Sequence, residues 1–363
     1  MTSLGIIGFE RSGKTSLFNA VTAAHHEVGV ATHQDPHLGV VKVPDSRLDQ
    51  LSAMFQPKKH TEATLEYVDF PGAGFGGGAG PETRFLDQLS RMDALIHVVR
   101  AFENDSVPHP MESVDPVRDI EAMILELTFA DIALVEKRLE RIASEAKALK
   151  VAEREVAERE AVLLRRLQDD LGRGTPVRAI ELSEEERRSL RQYRFLTDRP
   201  LLSLINIDEA AAGEAERIAS EYRPPEEPAG TATAAACASL EMELVDLSAE
   251  EAAEYRAEVG AGDGALETAI GLSYQILGLL SFFTVGEDEC RAWTVHEGDN
   301  ARQAAGRIHS DLELGFIRAE VVNWGDLVEA GSEAEAKKRA LVATQGKDYV
   351  VRDGDVLHIL FNV

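Results

Sequence analysis

Apolar positions fall into short dense runs near the N-terminus and into longer helical rhythms in the middle of the chain. SLGIIGF (Ser3 to Phe9), LGVVKV (Leu38 to Val43), LEYVDF (Leu65 to Phe70), ALIHVVR (Ala94 to Arg100), LLSLIN (Leu201 to Asn206) and TATAAACA (Thr231 to Ala238) read as strands. Their Val, Ile and Leu density, with helical patterns between them such as TSLFNAVTAA (Thr15 to Ala24), predicts an α/β fold with a mainly parallel sheet buried on both faces. After Asp115-Pro116 the rhythm changes. Leu125, Thr128, Ile132, Val135, Leu139, Ile142, Ala146 and Leu149 recur in steps of three and four, the spacing of a coiled-coil seam. A second helical run covers about Val151 to Leu171 and stops at Gly172-Arg173-Gly174. Residues 116–195 therefore read as an inserted helical hairpin, with one long helix as the alternative because no Gly or Pro marks a turn near Lys150. From Phe282 onward RAWTV, FIRAEVV and YVVRDGDVLHILF predict strands of a small α+β domain, with Asp353-Gly354 as a hairpin turn. The expected division is 1–115 with 196–281, then 116–195, then 282–363.

Composition narrows the class. At 363 residues the chain can bury more than one core, and no apolar run approaches the ~20 residues of a membrane span. Arg11 and Lys14 follow the first apolar strand instead of preceding it, the wrong order for a signal peptide. Cys237 and Cys290 lack metal-ligand spacing and read as free thiols, which suits a reducing cytoplasm. A net charge of −26 argues against non-specific binding to free DNA, since no broad basic face is available to replace phosphate counterions.

GFERSGKTS carries the chemistry. Gly8-x-x-x-x-Gly13-Lys14-Thr15 follows a strand and opens a helix, the context of a phosphate loop. Gly8, Phe9, Glu10, Arg11, Ser12, Gly13, Lys14, Thr15 and Ser16 would wrap a triphosphate, with Lys14 on its β- and γ-oxygens and the Thr15 hydroxyl on Mg²⁺. Asp69-Phe70-Pro71-Gly72 ends a strand, where Asp69 would hold Mg²⁺ and the Gly72 N–H would meet the γ-phosphate. Thr32 is a candidate metal ligand from a first switch, or simply an exposed loop threonine. A guanine site uses Asn-Lys-x-Asp, whose Asp accepts from guanine's donors. This chain reads Asn206-Ile207-Asp208-Glu209, which removes that discrimination and favours ATP over GTP, with Asn206 offering a donor and an acceptor to the adenine edge.

These residues resemble the Obg-like ATPases, also called the YchF family, of translation-factor-type P-loop proteins. The matching stretches are GVVKVPDSRLDQL (Gly39 to Leu51), HVVRAFEND (His97 to Asp105), Asn206-x-x-Glu209, RAWTV, IHSDLELGFIRAEV (Ile308 to Val321) and GKDYVVRDGDVLHILFNV (Gly346 to Val363). The resemblance implies an ATPase domain, an inserted coiled coil, a C-terminal TGS domain and a ribosome or ribosomal protein as partner. It further implies that Asn206, Ile207 and Glu209 face the base, that backbone amides near Cys237 and Ala238 contact adenine, and that His109 serves catalysis where the usual Gln is missing and Ala73 stands beside the second-switch Gly. The family loop reads Gly-Leu-Pro-Asn-Val-Gly-Lys-Ser, so Glu10, Arg11 and Ser12 are departures. Where related proteins hold a monovalent cation with Asn, Arg11 would bring its own charge, as an arginine finger in cis. The competing reading sends Arg11 to solvent, paired with Glu10. Three function classes stay open: a slow ATPase that switches affinity for a ribosome-like partner, a GTPase of the same class, and a nucleotide-binding scaffold.

Overall fold

In the computed structural model, which describes residues 2–26, 35–71, 75, 81–146, 150–261 and 264–362, the early apolar runs become β1 (Ser3–Ile7), β2 (His37–Val43), β4 (Ala63–Asp69), β5 (Ala94–Arg100), β6 (Leu201–Asn206) and β7 (Thr231–Ala236). A short strand, β3 (Lys59–Thr61), belongs to the second sheet described below. The first sheet has the order β2-β4-β1-β5-β6-β7. β1 pairs in parallel with β4 and β5, β5 with β6, and β6 with β7. All seven residues of β5 are buried, as a strand covered on both faces requires.

Helices among the described residues include, in chain order, α1 (Lys14–Thr22), α2 (Ser46–Phe55), α3 (Thr83–Leu89), α4 (Pro116–Glu145), α5 (Val151–Gly172), α6 (Glu184–Leu190), α7 (Ala215–Tyr222), α8 (Ala238–Leu244) and α9 (Ala249–Glu258). Asp115 caps α4 by accepting from the Arg118 N–H, with Pro116 in the first turn where its missing donor is harmless. α4 and α5 form a hairpin, not one long helix. Arg138 pairs with Glu160 at 2.8 Å, Gln168 donates to Glu136 at 3.1 Å, and Val135, Ile142, Ala161, Leu164 and Leu167 share one core.

The predicted seam holds only in part. Leu125 is 50% exposed, while Met123 and Leu127 are buried with Phe70, Phe85 and Leu95 of the sheet domain. The first half of α4 is thus held by the sheet core, and only the part beyond it faces α5. Leu149 lies outside the described residues. Between the halves sits Asp131, 2% exposed. Its two carboxylate oxygens accept from the N–H groups of Leu196 and Thr197, each at 2.8 Å, fixing the return of the chain from the hairpin. Burial pushes its carboxyl up to about 6, against the pull of those hydrogen bonds.

Two compact units emerge, one of Thr2–Gly39 and Glu66–Ala269, the other of Met1, Val40–Leu65 and Ile270–Val363. In the second unit β8 (Leu279–Thr284), β9 (Glu289–His296), β10 (Phe316–Asn323), β11 (Ala343–Gln345) and β12 (Asp355–Phe361) join β3 in the order β11-β10-β12-β8-β9-β3. β12 pairs in parallel with β8 and antiparallel with β10. The helix Ala301–Ile308 buries Ala301 and Ala304 among Phe282, Val295 and Leu357. This is an α+β fold of the TGS, ubiquitin-like kind.

The turn expected at Asp353-Gly354 forms, with the Asp355 N–H donating to the Arg352 carbonyl at 3.1 Å and Gly354 at φ of +85°, but no pair of hairpin strands is built on it. Asp353 accepts from the Ser281 N–H at 3.0 Å and pairs with Arg47 of α2 at 2.6 Å. Residues 349–351 hydrogen-bond with Ala301 and Asp299, leaving β12 without a hairpin partner on that side. Replacing Asp131 with Ala leaves two buried backbone donors unsatisfied. Urea denaturation should show a loss of about 2–4 kcal/mol.

Candidate nucleotide site

The loop between β1 and α1 lies at the C-terminal end of a central strand, where parallel sheets open their ligand crevices. Gly13 has φ of +97°, and a Cβ there would come within 2.2 Å of Asn206 Nδ2, so only glycine fits. Lys14 turns back on the loop and donates to the carbonyls of Gly8 and Phe9, each at 2.9 Å. Burial pulls its ammonium down to about 8, against the attraction of Asp69 and then Glu10. A cation held only by loop carbonyls is prepared to exchange them for phosphate oxygens.

Thr15 Oγ1 donates to Asp69 Oδ2 at 2.9 Å. Asp69 is fully buried and its Oδ1 has no hydrogen-bond partner among the described residues. A hydroxyl beside an unpartnered buried carboxylate oxygen suits Mg²⁺, a hard cation that takes oxygen ligands and keeps waters and phosphate oxygens for its other positions. Among the described residues no group of three His, Cys, Asp or Glu could hold a metal ion. Thr32 and Gly72, and Ala73 beside it, lie outside the described residues. Sequence reading missed His37, whose Nδ1 lies 3.6 Å from Asp69 Oδ2 and whose ring stacks on His26 at 3.8 Å. Burial, then the neighbouring His26, lowers the His37 pKa.

Asn206 has a different geometry from the one expected. Its Nδ2 donates to the Ser12 carbonyl at 2.9 Å and its Oδ1 accepts from the Ala238 N–H at 3.0 Å. The amide therefore fastens the phosphate loop to the β7–α8 connection and keeps a second N–H and a second oxygen lone pair. Ile207, Cys237 and Ala238 are buried beside it. Glu209 is exposed and accepts from the Tyr255 hydroxyl of α9 at 3.3 Å.

Two expectations need correction. Arg11 does not pair with Glu10 among the described residues; its Nη1 donates to the Pro108 carbonyl at 3.1 Å, from a backbone with φ of +62°. His109 is buried with both ring nitrogens engaged. Nδ1 accepts from the Met111 N–H at 3.1 Å, which makes Nε2 the protonated nitrogen facing Asp119 Oδ2 at 2.9 Å. Asp119 also receives Arg118. In this arrangement His109 has no nitrogen left for an attacking water. His97 of β5 is buried too, with no partner on either ring nitrogen among the described residues, and burial followed by the charge of Lys14 holds its imidazole at about 3.

A parallel sheet, a glycine loop folded around a buried lysine, and a Thr–Asp pair one strand away define a P-loop NTPase. Residues 279–362 match the family model YchF-GTPase_C, described as a protein of unknown function, DUF933. The chain is 39% identical to the ribosome-binding ATPase YchF of Bacillus subtilis strain 168 over 365 residues, with 99% of each covered. Identity to the ribosome-binding ATPase YchF of Escherichia coli O157:H7 is 36%, again with 99% of each covered. The structure of the Schizosaccharomyces pombe YchF GTPase aligns with a TM-score of 0.84 at 28% identity, covering 99% of this chain and 97% of that one. The chain belongs to the YchF family.

Asn206→Ala removes both fastenings at once. Denaturant unfolding should register a loss of about 1–3 kcal/mol, and titration with a fluorescent ATP analogue should show weakened binding as the two loops lose their common register.

Proposed function

We propose that this protein is an ATP-binding, slowly ATP-hydrolysing P-loop NTPase whose nucleotide state sets its affinity for the ribosome or a ribosomal protein. The observation that carries the reading is the Lys14 ammonium, buried and held by loop carbonyls beside the Thr15–Asp69 pair. Lys14 would bind β- and γ-oxygens, and the backbone N–H groups of residues 8–14 would cradle the phosphates. Thr15 and Asp69 would hold Mg²⁺, which neutralises charge on the phosphates when bound. Ribosome association is taken from the names of the relatives in Bacillus subtilis and Escherichia coli. ATP in place of GTP rests on Glu209 where a guanine reader has Asp. The nucleotide-binding part is assigned to 1–115 and 196–281, the hairpin to 116–195 and the TGS domain to 282–363.

The basic clusters Lys58-Lys59 and Lys337-Lys338-Arg339, which could offer a ribosomal contact, are paired with acids. Lys58 meets Asp288, Lys59 meets Glu289, Lys337 meets Glu320, and Lys338 and Arg339 meet Glu335. Exposed pairs of this kind are worth about 0–1 kcal/mol, so a polyanion could displace them at little expense. No helix among the described residues is long and apolar enough to cross a membrane.

Single-turnover assays with Mg²⁺ and relative Kd values for ATP and GTP test the reading. ATP should bind more tightly and be cleaved slowly, and Lys14→Ala should weaken binding by more than about tenfold. Tighter GTP would establish a GTPase, and bound ATP surviving for hours would establish a scaffold.

Catalysis by His109 requires that its contact with Asp119 open first. For Arg11 the reading is a guanidinium that leaves Pro108 to face charge developing between the β- and γ-phosphates. Arg11→Ala should then slow single-turnover hydrolysis by on the order of 10³-fold, with no potassium requirement in wild type. Potassium-dependent turnover that survives the substitution would exclude this role.

A further inference from the structure

Glu209 opens a short 3₁₀ turn, Glu209–Glu214, that Asp208 caps by accepting from the Ala211 N–H. The turn continues directly from the Asn206 that fastens the phosphate loop, so the position of Glu209 is referred to the same anchor. Tyr255 approaches from α9. Its ring packs against the cluster that holds Ile207, Cys237 and Leu240, the floor of the connection expected to meet the base. Its hydroxyl reaches Glu209 Oε1 at 3.3 Å. A hydrogen-bond donor and a hydrogen-bond acceptor thus stand side by side at the edge of the site, with only each other as partners in the contacts described.

We propose that Tyr255 and Glu209 together read the Watson–Crick edge of adenine, with Glu209 accepting from the exocyclic N6 amine and the Tyr255 hydroxyl donating to N1. The proposal rests on the ATP-binding reading and adds to it a residue that the sequence pattern does not mark. Adenine presents a donor at N6 next to an acceptor at N1, the complement of a carboxylate next to a phenol. Guanine placed the same way sets its O6 acceptor against the carboxylate and its N1–H donor against the phenol. Asn206 spends one of its two N–H donors on Ser12 and one lone pair of its oxygen on Ala238. Specificity of this type is strong when a polar group is left unpaired by the wrong ligand. Tyr255 is a specificity residue, not a catalytic one.

Tyr255→Phe keeps the ring and its packing and removes only the hydroxyl. Kd values for ATP and GTP, measured by competition against a fluorescent nucleotide, should show ATP weakened about three- to tenfold and GTP unchanged. 1-Deaza-ATP, which lacks the N1 acceptor, should lose the same factor against wild type and nothing further against Tyr255→Phe, closing a cycle between protein and ligand. Equal weakening of ATP and GTP would show a packing role and overturn the proposal. So would a wild type that prefers ATP while Tyr255→Phe binds as wild type does. A wild type that binds neither nucleotide, or binds GTP more tightly, overturns the ATP reading itself and the pair with it.

Discussion

One side-chain amide sets the register of the nucleotide site. Asn206 joins the Ser12 carbonyl of the phosphate loop to the Ala238 N–H of the β7–α8 connection. Both partners are backbone groups, so their positions follow the chain and not a rotamer. Gly13 is the geometric counterpart, since any side chain there would occupy the space of the Asn206 amide. Ser12 and Asn206 lie 194 residues apart in sequence. The sheet brings their strands near each other, but strand pairing alone leaves the loops beyond the strand ends free to settle independently. A buried, doubly hydrogen-bonded amide removes that freedom, and leaving either backbone group unpaired would cost about 1–3 kcal/mol.

Much of this architecture is legible in the sequence because it is written locally. The strands β5 and β6 coincide with the apolar runs that predict them, and the phosphate loop announces itself through spacing. What is not legible depends on partners far along the chain. Arg11 and Pro108 are 97 residues apart, and nothing near either position signals the contact. Asp131 lies in what reads as a helix surface until Leu196 and Thr197 arrive to use both its oxygens. β3 has the sequence Lys-His-Thr, too short and polar for any periodicity, and forms only because β9 offers an open edge. At Asp353-Gly354 the turn forms, but residues 349–351 bond to Ala301 and Asp299 while β12 runs between β10 and β8, so no hairpin follows from it.

The seam along α4 misleads for a related reason. A heptad-like rhythm assumes one partner for the whole helix, whereas α4 has two. Met123 and Leu127 answer to the sheet core, Val135 and Ile142 to α5. The helix rotates its buried face between them, and Asp131 sits where the apolar stripe changes owner. Polar burial at that point is tolerable because both oxygens are satisfied. One continuous helix therefore belongs to the nucleotide core at its start and to the hairpin at its end.

That continuity gives Arg11 its significance. The guanidinium holds Pro108, the neighbouring His109 holds Asp119, and Asp119 belongs to the opening turns of α4. Lys14 and Arg11 both direct their charge at backbone carbonyls, but the two contacts differ in consequence. Lys14 holds carbonyls of its own loop, so exchanging them for phosphate oxygens alters only that loop. Arg11 holds a carbonyl of another segment, so turning its guanidinium away would loosen two segments at once. A hydrogen bond to a charged group is worth about 1.5–3 kcal/mol when buried and less at an exposed site such as this one, within the range of ordinary allosteric couplings. Arg11 thus does more than add a charge to the loop. It makes the stability of the His109 segment, and through Asp119 the start of the hairpin, depend on where one arginine points.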